Sequence, residues 1–68
     1  MTGDEDASVS AQAQRLHDLR QPLAAILAAA TALRAHPNLV DSERDAFLEV
    51  IVRNAERLGE MLDQDSPD

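Results

Sequence analysis

The stretch RLHDLRQPLAAI, residues 15–26, gathers the side chains of this chain that can do chemistry. A neutral imidazole such as His17 carries a ring-nitrogen lone pair and can act as a nucleophile near pH 7. On a helix Gln14, Arg20 and Gln21 are its surface neighbours, one turn before and after. Arg20, and Arg15 with it, bring positive charge able to offset an added phosphoryl group. Asp18 can accept a hydrogen bond from the other ring nitrogen and so fix the tautomer. Successive helical residues point about 100° apart, so that contact needs a favourable rotamer or a bend. Taken alone, a helix histidine is an ordinary surface residue; the neighbours and the proline five residues on set this one apart.

The elements that must position these groups are helices. Leu16, Leu19, Leu23, Ile26, Ala30 and Leu33 recur at intervals of three and four, the seam of a coiled coil or helix bundle. Alternation is absent and alanine dominates residues 24–35, which excludes a strand. Pro22 is the irregularity. An internal proline loses one hydrogen bond and crowds the carbonyl four residues back, here that of Asp18, at a cost of about 3 kcal/mol. A helix that began at Gln21 would hold Pro22 harmlessly in its first turn. That start leaves the common phase of Leu16, Leu19, Leu23 and Ile26 unexplained, so a continuous helix with a bend beside His17 is the reading adopted.

His36-Pro37-Asn38 ends the first helix near Ala35, because the residue before a proline is driven out of helical geometry. Asp41 and Ser42 signal the second start. Either can cap it, and Ser42 with Asp45 forms a weak capping box. Leu48, Ile51, Ala55, Leu58 and Leu62 make a second seam, widened by Phe47, Asn54 and Met61, and Glu49 with Arg53 forms a favourable pair. The expected organisation is a polar, disordered acidic tail over residues 1–8, a helical hairpin over 9–64 (helix 1 about 9–35, helix 2 about 42–64) and a short tail at 65–68. His36 suits the negative end of a helix, and Asn54 suits a register-setting polar place in the seam.

Sixty-eight residues make one small domain, with a single aromatic residue, Phe47, and no cysteine, so disulfides and thiolate metal sites are excluded. His17 and His36 lie at different ends of one helix and cannot share a metal. The net charge of −7, with six arginines and no lysine, argues against nucleic acid. The apolar run from Pro22 to Ala30 is far short of the roughly 20 residues a membrane span needs. The start lacks a signal-peptide layout, so no membrane span and a cytoplasmic location are expected. Two helices alone cannot bury the sixteen or so large apolar side chains. Oligomerisation is the usual remedy. The expected fold is therefore all-α, an antiparallel helical hairpin forming a homodimeric four-helix bundle.

HDLRQPLAAI resembles the H-box of two-component sensor histidine kinases, commonly His-Glu-Leu-Arg-Thr-Pro-Leu. His17, an acidic residue, Leu19, Arg20, Pro22 and Leu23 match in register. NAERLGEMLDQ is similar to the second helix of the same dimerisation and phosphotransfer domain, so the resemblance covers about residues 11–64. It implies that His17 accepts a phosphoryl group, that Asp18 activates the imidazole and that Pro22 is the bend proline. Gln21 stands where the family has Thr or Asn, the residue that orients water for dephosphorylation of the partner. That partner is a response-regulator receiver domain, and the row Arg20, Gln21, Ala24, Leu27, Ala28 and Thr31 is the surface that would receive it. Leu27 packing on helix 2 is the competing reading.

The residues here offer no phosphate cradle. The two glycines, Gly3 and Gly59, are far apart, so no cofactor is bound by this chain, and ATP with Mg²⁺ must act through a separate ATP-binding kinase domain. The alternative to a phospho-accepting module is a non-catalytic dimeric helical interaction module that binds a kinase or a response regulator. Both readings require a paired hairpin. Sedimentation of the purified chain at micromolar concentration is expected to give a helical dimer, and a helical monomer would contradict the bundle.

Overall fold

The structure, a computed structural model, describes residues 3–64, with side chains from Val9 onward. Two helices account for it: α1, Gly3–Ala35, and α2, Asp41–Gln64. They pack side by side and antiparallel, and the Cα atoms span 58 × 25 × 12 Å. No strand and no helix long and apolar enough to cross a membrane occurs among the described residues. Helix 1 begins at Gly3, where the sequence reading sets about residue 9. No proline or further glycine interrupts residues 4–21, so no backbone restriction stops the helix from extending back over that stretch. The expected tails at residues 1–2 and 65–68 lie outside the described residues.

The turn is short because His36 and Pro37 stop α1 and little chain is needed to reverse. The His36 amide still donates to the Ala32 carbonyl at 3.0 Å, and the Leu39 amide closes the turn on the His36 carbonyl at 3.4 Å. The Arg44 amide donates to the Val40 carbonyl at 3.0 Å, which makes Val40 the cap residue and Asp41 the first helical one. Neither Asp41 nor Ser42 caps α2 by a side-chain bond among the described residues. Asp41 instead pairs with Arg44 at 3.4 Å, and the acidic first turn faces the positive end of the helix.

The single seam read from the sequence separates into two faces. On α1 the face covered by α2 runs through Arg15, Leu19, Pro22, Ile26, Ala29 and Leu33, with Pro22 under 2% and Ala29 4% exposed. On α2 it runs through Phe47, Ile51, Asn54, Leu58 and Met61. Leu16, Leu23, Leu48, Val52 and Leu62 are exposed, as are Ala30, Ala55 and Gly59. This second face lies about 90° round each helix from the first. Because the helices run in opposite directions, both offsets land on the same side of the hairpin.

Register is fixed at the open end, where the Arg15 Nη2 donates to the Met61 carbonyl at 2.8 Å, within the last turn of α2. A cation suits the carbonyl-rich end of a helix. Further along the covered face of α1, Pro22 and Ala29 are its buried positions, and the small alanine lets the two helices approach there.

Ala29→Leu is expected to overpack this contact and destabilise the chain by about 1–3 kcal/mol. Ala28→Leu, one position round on the exposed side, should change stability by less than about 0.5 kcal/mol. Urea unfolding of the two variants measures the difference. Arg15→Met should cost about 1–2 kcal/mol. Amide exchange should then quicken more at residues 58–64 than at 41–47.

Candidate functional site

Helix α1 passes through Pro22 without interruption, so His17 lies on a helix and not in a loop before one. It stands about 160° round that helix from the middle of the α2-facing side. Its side chain is exposed. Pro22, only five residues on, turns its ring the other way, into the hairpin, where it is buried. The proline therefore removes a backbone donor near the histidine without covering it.

Two side-chain pairs occupy the surface around the ring. Gln21 Nε2 lies 3.3 Å from His17 Nε2, one turn on. Gln14 Nε2 donates to Asp18 Oδ1 at 3.0 Å, one turn back. No hydrogen bond joins Asp18 to His17 among the described residues, so the carboxylate is drawn toward the N-terminal side while the imidazole is held from the C-terminal side. Arg20 is exposed and makes no hydrogen bond or ion pair among the described residues. Arg15 is half-buried and bonded to Met61 on the opposite face, away from the ring. Of the two arginines near the histidine, only Arg20 shares its side of the helix.

Gln14 is the neighbour whose bond the sequence reading missed. Its signal was present in the four-residue spacing to Asp18, since glutamine and aspartate at that interval pair readily on a helix. Below the ring, Ala24, Leu27, Ala28 and Thr31 continue the same side of α1 and are all exposed. Leu27 is 67% exposed and does not pack on α2. With Ala30, Thr31 and Arg34 it lines a shallow depression of about 180 Å³. No group of three or more His, Cys, Asp or Glu side chains able to hold a metal occurs among the described residues.

The arrangement is an open imidazole on a helix side, an exposed guanidinium one turn away, and a row of small and apolar side chains beyond. The ring is exposed on the helix side, open to another macromolecule. The chemistry it suits is group transfer between the ring and another protein's site. No match is found among curated proteins, and none among solved structures. A family model, the His kinase A (phospho-acceptor) domain, matches residues 12–64. That span takes in both helices of the hairpin, the seam from Arg15 to Met61 and the exposed histidine. The chain belongs to the His kinase A (phospho-acceptor) domain family, the phospho-accepting and dimerising part of histidine kinases.

Proposed function

We propose that His17 accepts the phosphoryl group of ATP and passes it to an aspartate of a response-regulator receiver domain. The observation that carries this reading is an exposed imidazole on α1, on the side away from α2, in a stretch that resembles the family's H-box and lies inside the matched span of residues 12–64. The ring-nitrogen lone pair attacks the γ-phosphorus. A nitrogen–phosphorus bond forms, the bond to the β–γ bridging oxygen breaks, and ADP leaves. In the second step the receiver carboxylate takes the group from the ring. The ATP and Mg²⁺ are bound by an ATP-binding kinase domain outside these residues, and the reactions run on the cytoplasmic side of the cell.

Arg20 is placed to offset the phosphoryl charge. Asp18 is the acid beside the ring, and it reaches the imidazole once it leaves Gln14. Gln21 takes the place of the water-orienting residue for the reverse reaction. Arg20, Ala24, Leu27, Ala28 and Thr31 form the receiver's docking row, where an exposed leucine among small residues leaves room for a partner helix. The uncovered side carrying Leu16, Leu23, Leu48, Val52 and Leu62 meets a second copy, giving a homodimeric four-helix bundle.

Incubation with a separate ATP-binding kinase domain and radiolabelled ATP is expected to put acid-labile phosphate on the chain. His17→Gln should abolish that label while sedimentation and helicity stay unchanged. Label that persists in the variant would remove His17 from the reaction. Binding of a kinase or receiver that is indifferent to the substitution, with no label on the wild type, would favour an interaction module without catalysis.

A further inference from the structure

Resting on the reading that the uncovered apolar side meets a second copy of this chain, we propose that the copies recognise each other at the turn end, through an ion pair between Arg34 of each copy and Asp45 of the other. Two chains of net charge −7 repel at a distance, so their association is helped by opposite charges where they touch. Arg34 and Asp45 are placed to supply them. Both are exposed, and neither makes a hydrogen bond or ion pair among the described residues.

Each charge sits at the edge of the uncovered apolar side. Arg34 follows Leu16 by about five full helical turns, so it shares the side of α1 that carries Leu16, Leu23 and Ala30. With Leu27, Ala30 and Thr31 it lines the shallow depression of about 180 Å³, which the small Ala30 leaves open on the apolar side. The helix dipole favours a cation anywhere round the last turn of α1, and it does not select this side. On α2, Asp45 is the surface neighbour of Leu48, which is 43% exposed, and stands about two turns before Val52. Of the other acids near the start of α2, Asp41 pairs with Arg44 at 3.4 Å, and Glu43 lines a different depression, at the turn. One hairpin thus carries both a hollow edged by a cation and a leucine edged by an acid.

These two features lie at the same end of the molecule. The last turns of α1 and the first turns of α2 are joined by a short turn and run antiparallel. A two-fold axis running along the hairpin brings the two turn ends together and makes each contact twice. Leu48 of the second copy then enters the hollow over Ala30, and its Asp45 reaches Arg34. Leu27 and Thr31 form the outer wall of the hollow, and their opposite flank stays with the receiver's row.

Sedimentation equilibrium of the full chain tests this. Arg34→Glu sets acid against acid at both contacts, and Asp45→Arg sets cation against cation. Each variant alone is expected to raise the dimer dissociation constant about tenfold at low salt, with helicity unchanged. An equal mixture of the two should form a heterodimer about as tight as the wild-type dimer, because each reversed charge meets its opposite on the other chain. A loss caused by misfolding, or by a pair within one chain, is not repaired by mixing. Variants that dimerise like the wild type, or a mixture no tighter than either variant alone, would overturn the proposal and leave the second-copy reading standing. A wild-type chain that stays monomeric removes both.

Discussion

A helix lying against a single neighbour can hide only one stripe of its surface, and the rest of this molecule follows from which stripe is hidden. The hidden stripe of α1 contains a proline, an alanine and an arginine as well as leucines and isoleucine. The small members let the two axes approach, and the arginine ties the end of α2 through its backbone. What remains outside is divided between an apolar side and a side carrying the histidine. The hairpin thus separates a surface suited to permanent association from one suited to passing contact, with α2 covering the third.

The burial is slight for a chain of this size. Pro22 and Ala29 are the only residues fully enclosed among those whose side chains are described. Large side chains such as Leu16, Leu23, Val52 and Leu62 remain about half in water. Each would add roughly 1.5–3 kcal/mol on full burial. Against a backbone ordering cost of about 1–2 kcal/mol per residue, a lone hairpin with so small an interior has little to stabilise it. The uncovered apolar side is the surface that the proposed second copy would bury.

The helices, the turn and the exposed place of His17 on α1 were legible in the sequence because each rests on local chemistry. Proline and its predecessor end α1 at Ala35, and the phase of Leu16 and Leu19 with Leu23 carries the helix through Pro22. The partition of the seam was not legible. Two apolar stripes about 90° apart produce the same three-and-four spacing as one broad stripe. Volume decides between them, and a hydrophobicity pattern does not weigh the small volume of Ala29 or the long reach of Arg15. The cap of α2 was missed for a related reason. Asp41 is a strong capping type, yet the Val40 carbonyl receives the first bond, and that depends on how the turn delivers the backbone. The glutamine pairs needed rotamers, which sequence spacing permits but does not choose.

Pro22 and the Arg15–Met61 bond bracket the six residues that carry His17. On one side the helix lacks a rung and flexes more easily than elsewhere. On the other it is roped to the far end of its neighbour. The histidine rides between that tether and the missing rung, so a twist of this short length of rod is carried to its ring.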